Sequence, residues 1–343
     1  NIKEGQFQYV DYPGSINRIE SAIQVRFDFE DKASSHFTLN EMELQGFGIE
    51  LQGDLSMRDL LVEPKLNSDV AGFVDLTKLN QVIPFHPDIS VDGIIDTDIK
   101  TSFDIKQLQE QDFSSLAVEG RASLKNIDIE IPKDTLSLKV QDLVFHSQVK
   151  EDDSLEGDLF VRDIHLQKAV KKAKAERLNI DFSLQDAESA NSLLIAGISL
   201  VKFAIHLENK DQATLEDGKL NLKIRGNEKY DARVTMESDF VLDSLGVYYD
   251  NRFAAIKTGD YKMELIRKGK RDWEIYGDVH FDKMIAYTPE LGKAAFLHNS
   301  KLNVINNKLE LEDTQMKFGN SDLTFSGNID NYPALIWDTI SNN

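Results

Sequence analysis

The chain has 343 residues, 41% hydrophobic and 29% charged, and 59 acidic against 39 basic side chains give a formal net charge of −20. That balance argues against a nucleic-acid partner, because phosphate binding needs a basic surface, and against charge-driven docking on an anionic membrane. Cysteine is absent, so no disulfide, thiolate ligand or thiol nucleophile enters the chemistry.

The first residues, NIKEGQFQYV, alternate as a strand without any signal-like stretch before them. The chain therefore reads as a fragment, with any anchor or targeting segment outside it. Ile23, Val25, Phe27 and Phe29 then fall on one face of a predicted strand, opposite Gln24, Arg26 and Asp28. Phe37–Leu55 (FTLNEMELQGFGIELQGDL) reads as a hairpin, two alternating strands around a Gly-containing turn. Asp75–Val82 predicts a short helix, with Asp75 as N-cap candidate, Leu76, Leu79 and Ile83 at helical spacing, and Pro84 as the stop. Alternation resumes at Ile95, Thr97, Ile99, Thr101 and Phe103, and Lys106–Asp112 predicts a further short turn.

Leu136, Leu138 and Val140 alternate next. Lys168–Arg177 (KAVKKAKAER) could form a basic helix. Ala173 and Ala175 lead into Leu178, Ile180, Phe182 and Leu184, so one long strand with Lys and Arg outward is the expectation. The apolar run Leu193–Leu207 contains Lys202 and is shorter than the ~20 residues of a membrane span, which makes it a core strand or strand pair. Leu220, Leu222 and Ile224 follow, and Leu309–Ile329 (LELEDTQMKFGNSDLTFSGNI) repeats the pattern of the earlier hairpin. The opening NIKEGQFQYV also matches TLEDGKLNLK at 214–223.

These signals define an all-β chain with few short helices. A one-faced strand must bury its apolar side, and two short helices cannot cover so many strands. The sheet must fold over itself as a sandwich, a barrel or a bent trough. No Pro- or Gly-rich linker divides residues 1–343, which favours one elongated, twisted antiparallel sheet around an apolar interior, with repeat-like hairpins at 1–55 and 309–331.

Residues 71–127 carry a further pattern. A strand ending in Ala71–Gly72 leads to a short helix at Asp75–Leu79. A second strand, Gly93–Ile99, opens on Gly and runs through Asp96 and Asp98, and Gly120–Ile127 forms a third. This arrangement resembles the C-terminal region of AsmA-like proteins, as do the opening IKEGQFQYVDYPG and the closing Phe318–Asn331 (FGNSDLTFSGNIDN). It departs at Ser102–Phe103, where that pattern has Gly, and 150–300 matches only in alternation. The resemblance implies a periplasmic protein of Gram-negative envelopes, tethered to the inner membrane by a helix outside this fragment. It further implies a role in outer-membrane biogenesis, with phospholipid or another envelope lipid carried in an apolar β-sheet groove. Envelope proteins are possible partners.

No residue set points to catalysis. His36, His86, His146, His165, His206, His280 and His298 lack metal-face spacing. Asp96/Asp98, Asp128/Glu130 and Asp152/Asp153 could suggest calcium or glycosidase chemistry, yet no calcium-loop pattern accompanies them, and solvated carboxylates suit a chain of this charge. Ser199–Lys202 and Ser147–Lys150 fit S-x-x-K but fall in predicted strands, without the partner motifs that chemistry requires. Gly46 and Gly48 precede a strand rather than the helix a nucleotide cradle needs. The expectation is a non-enzyme with no catalytic residue, metal or cofactor. Its apolar faces either fill an ordinary core, as in a scaffold of the envelope, or accept lipid, with no individual lipid-binding residue assigned.

Overall fold

The structure, a computed structural model, describes residues 1–8, 15–82, 88–106, 117–150, 154–186, 189, 191–226, 234–267, 273–290, 292–306 and 308–330. Its contacts divide into two compact units, Asn1–Ala169 and Val170–Asn343.

The first unit holds β1 (Ile2–Gln8), β2 (Ser15–Arg26), β3 (His36–Gly46), β4 (Ile49–Arg58), β5 (Lys65–Asp75), α1 (Leu76–Val82), β6 (Ser90–Asp104), β7 (Ala117–Ile131), β8 (Leu136–Val149) and β9 (Leu155–Lys168). The second holds β10 (Lys171–Gln185), β11 (Leu193–His206), β12 (Gln212–Arg225), β13 (Thr235–Tyr249), β14 (Arg252–Arg267), β15 (Trp273–Tyr287), β16 (Ala295–Ile305), β17 (Lys308–Phe318) and β18 (Ser321–Asp330). Within each unit every strand pairs antiparallel with the next in sequence. Among the described residues β1 does not pair with β9, nor β10 with β18, so neither meander closes into a barrel there. The all-β antiparallel expectation holds, and both predicted hairpins form, as β3–β4 and β17–β18.

The predicted helix forms where its spacing placed it. The Lys78 amide donates to Asp75 Oδ1 at 3.1 Å, so Asp75 satisfies one of the amides that a helix start leaves free. The Gly93 amide donates to Thr77 Oγ1 at 3.3 Å and ties the helix to β6. His86, Pro84 and residues 107–112 lie outside the described residues, as do Asp152 and Asp153.

Two strand expectations need correction. β2 ends at Arg26, and Phe27 and Phe29 lie beyond it at 58% and 77% exposure. The Asp28 carboxylate accepts the Glu30 and Asp31 amides at 3.1 and 2.9 Å, which turns the chain before alternation can continue. Lys168–Arg177 is not one strand either. β9 ends at Lys168, Ala169 and Val170 form a turn with Ala169 at φ 54°, and β10 starts at Lys171.

Candidate functional site

The apolar face of each meander is the candidate site, and its form depends on a slip in the alternation. Along β12 the face is Ala213 and Leu215, then Gly218, Leu220, Leu222 and Ile224. Residues 215 and 218 would face opposite ways in a regular strand. Here a Cβ built on Gly218 would lie 3.1 Å from Leu215 Cδ2 and 3.5 Å from Phe240 Cε2, so all three share one side. On β14 a Cβ at Gly259 would lie 3.3 Å from Ile256 Cγ2 and 3.8 Å from Leu242 Cδ1, which shows the same slip.

A spare residue in a left-handed conformation absorbs the slip. Arg177 on β10, Asp217 on β12, Thr258 on β14 and Asn299 on β16 have φ of 50°, 47°, 51° and 48°. The positions align across the sheet. Leu200 is opposite Gly218, Leu242 opposite Gly259, Gly259 opposite Phe281, and Phe281 opposite Ser300. The strands are thus creased along one transverse line.

Side chains from either side of the crease, Leu215 and Phe240, both come within reach of a Cβ placed at Gly218, so they gather over the small residue between them. Along the line, large and small alternate: Leu200, Gly218, Leu242, Gly259, Phe281, Ser300. Neighbouring strands stand about 4.8 Å apart, so a concave line cannot hold six large side chains. The floor is closed, with Phe281 at 4% exposure and Ser300 and Thr314 at 0%.

The walls are different. Leu220, Leu222, Phe240, Met263, Leu265, Val279 and Leu302 are only half-buried, and Leu323 on β18 is 48% exposed. Val304 and the small Ala175, Ala196 and Ala295 are the further buried apolar residues of this face. A filled interior would bury the large wall residues as thoroughly as the floor. The second unit therefore presents an apolar face that is packed along the crease, here termed the floor, and half-open along its flanks, the walls; floor and walls together are termed the trough.

The first unit builds its own trough. Leu124 and Ile127 on β7, Val140 and Leu143 on β8, and Val161 and Ile164 on β9 repeat the three-residue step, and Ile127, Val140 and Val161 are buried. On β3 the step runs from Leu39 to Met42 across the bulged Asn40–Glu41, whose Glu41 amide donates to Asp54 Oδ1 at 2.8 Å. The hairpin β17–β18 repeats this detail, the Asp313 amide donating to Ser326 Oγ at 2.9 Å. Ile23, Val25 and Leu166 on the walls are exposed.

The two segments singled out as repeats, around Glu4–Gly5 and Asp217–Gly218, both sit at a crease, with Glu4 at φ 49°. A Cβ at Gly5 would lie 2.8 Å from Ile2 Cγ2, again placing i and i+3 together. Sequence reading missed the other members, Thr258–Gly259, Asn299–Ser300 and Asp313–Thr314. Their signal was available as a polar doublet interrupting the alternation: Asn40–Glu41, Lys125–Asn126, Glu216–Asp217, Lys257–Thr258 and Glu312–Asp313, all exposed.

The polar candidates lie on the outward faces, except Ser147, which is buried at 1% exposure on the side of Leu143 and Phe145. Asp96 and Asp98 share one side of β6, and the Asp128 and Glu130 carboxylates lie 2.6 and 3.7 Å from Lys139 Nζ, which holds that ammonium's pKa above its ordinary value through the Asp128 hydrogen bond first. Ser147 donates to the Val118 carbonyl at 2.6 Å while Lys150 pairs with Glu156 at 3.1 Å. Ser199 accepts from Asn179 at 3.3 Å and Lys202 lies 3.6 Å from Glu216. Neither serine is joined to its lysine. His146 and His280 face Asp158 and Asp260, and His36 contacts the Ser34 carbonyl. Among the described residues no three His, Asp or Glu are gathered as a metal would require, and no helix is long and apolar enough to cross a membrane.

No protein-family description, no curated protein and no solved structure matches the chain.

Proposed function

We propose that the chain is a non-catalytic carrier of lipid, which holds acyl chains against the half-open apolar walls of its creased sheets. One observation carries this reading: the face that alternation makes apolar is packed along its floor and left partly open along its walls. Each methylene moved from water onto such a wall gains about 0.8 kcal/mol, so even a short acyl segment repays docking. The outward faces carry the charge, which suits a carrier that moves through an aqueous compartment.

The AsmA-like resemblance adds the setting: a Gram-negative periplasm, an inner-membrane anchor outside this sequence, and delivery of phospholipid or another envelope lipid during outer-membrane biogenesis. The motif positions support it. Gly72, Gly93 and Gly120 all adopt positive φ, 138°, 123° and 119°, so the pattern marks places where strands of the trough kink.

The test is mass spectrometry of organic extracts from protein purified without detergent from a Gram-negative host. Phospholipid should accompany the wild-type chain. Leu220→Asp with Leu222→Asp, which puts charge on one wall, should at least halve the bound lipid while leaving the far-UV circular dichroism unchanged. Protein that stays lipid-free and takes up no fluorescent acyl probe sinks the reading and leaves a structural scaffold in its place.

A further inference from the structure

The outward face of the second unit carries a recess that the trough does not use. It lies over β12–β16, has a volume of about 560 Å³, and is lined chiefly by outward-row residues such as Gly246 and Ala255, with Leu245, Ile256 and Met284 of the intervening rows also in its lining. Gly246 lacks a side chain and Ala255 opposite it has only a methyl, so this row leaves a dent in a surface of longer side chains. Next along the row stand Ile285, opposite Ala255, and Phe296, opposite Ile285, with Phe253 also lining the recess. Phe253 and Phe296 are exposed.

The adjoining row is cationic. Lys257 lies directly opposite Lys283, and Lys283 opposite His298, and all three line the recess. At several other positions the register sets lysines against acids: Lys202 between Glu176 and Glu216, Lys262 between Asp239 and Asp278, Lys100 between Asp69 and Glu119. Lys257 instead has Ser244 on one side and Lys283 on the other. Like charges directly opposite destabilise a sheet. On a chain of net charge −20, a lysine pair with no acid directly opposite either member, beside an apolar dent, is a place where a bound anion would find matching charge.

We propose that this recess binds a long-chain carboxylate, its head group bridging the Lys257 and Lys283 ammonium groups and its tail lying over Ala255, Ile285 and Phe296. A carboxylate offers one oxygen to each ammonium. As a monoanion it meets less repulsion from the acidic chain than a phosphate dianion does. The site is on the face opposite the trough, so it neither requires nor follows from lipid carriage there.

The experiment is titration of the intact chain with decanoate below its micellar concentration, read by calorimetry and by chemical shifts of isotope-labelled Lys and His side chains. Saturable binding should perturb His298 and the two lysines. Lys257→Gln with Lys283→Gln should weaken it at least tenfold, and Ala255→Trp, which fills the dent, should weaken it comparably without removing charge. Decanoate binding that is indifferent to both variants would place it in the trough and overturn the proposal. So would equal affinity for inorganic phosphate, which would make the recess a simple anion site, or binding only to phosphatidylglycerol vesicles and not to free decanoate. Should the double variant fail to fold, Ala255→Trp alone decides the matter.

Discussion

The two units share the spare-residue crease, and the first adds a second device to it. In the second, a left-handed residue exposed on the outside marks the crease on alternate strands, β10, β12, β14 and β16, over floor residues such as Gly218 or Gly259 with ordinary φ. In the first, β4 and β5 bend through glycines in a conformation that other residues rarely adopt. Gly53 and Gly72 have φ of 148° and 138°, and a Cβ on either would lie 1.9 Å from a carbonyl oxygen of the neighbouring strand, Asp69 or Glu50. A kink of that kind fixes residue identity. A spare residue fixes only chain length, so its side chain can be Arg, Asp, Thr or Asn. Gly277 on β15 in the second unit shares only the close approach, since a Cβ there would meet the Lys262 carbonyl oxygen at 2.2 Å while its φ is ordinary.

Substitution would expose this difference. Gly72→Ala should cost about 3 kcal/mol or more, from backbone strain plus a clash that backbone cannot easily relieve. Gly218→Ala meets only the end of Leu215 and should cost about 1 kcal/mol or less. Urea unfolding of the two variants makes the comparison, and equal losses would erase it. The bulge caps should differ less. Asp54→Ala leaves the Glu41 amide without its acceptor at a cost of about 1 kcal/mol, and Ser326→Ala should do the same to Asp313 for slightly less, as a neutral acceptor is weaker. Both are measurable by thermal melts.

The spare-residue device also leaves room for improvement. Thr258 is β-branched at φ 51°, an unfavourable setting, and Thr258→Asn should raise stability by about 0.5–1 kcal/mol. No change, or a loss, would mean that the crease needs threonine itself. The smallest effect is one the units should share. The Asp28 carboxylate is held below its usual pKa by the Asp31 amide first, then by Arg26 and the Glu30 amide. Glu290 in the second unit is held low by its own amide first, then by Thr288 and Arg252. A pKa lowered in the folded state adds stability above the unfolded value, about 3.9 for Asp, and that stability is lost as pH falls through the folded value. Asp28→Asn should therefore melt below wild type at pH 7 and converge with it in acid. A gap that persists in acid would point to a role other than charge.

Much of this was legible in the sequence, because a one-faced strand states its burial in every second residue. Ile95–Phe103 and Leu178–Leu184 face as their alternation required, and the Asp75 cap announced the helix. Two kinds of information were not legible. Phe27 and Phe29 kept the strand rhythm after the strand had ended, since periodicity cannot register that Asp28 captures the amides of a turn. The creases hid because a slip of one residue looks like the end of an element. The alternation read at Leu220, Leu222 and Ile224 stopped short of Leu215, although one strand carries both sides of the slip. The Lys257–Lys283 row is a property of register, which no single strand records.

The crease acts as a half-period phase shifter, and this gives the chain an unusual sensitivity. Remove Asp217 and β12 regains plain alternation, because a single residue then separates Leu215 from Gly218, and Leu220, Leu222 and Ile224 keep their side. What goes is the crease on that strand, and Val201 on β11 is left with no residue opposite it. Losing one unremarkable surface residue would thus straighten one strand among creased neighbours, whereas exchanging it for another polar residue leaves the crease intact. In such a protein, selection weighs the residue count of a strand segment more heavily than the identity of the residue that sets the crease.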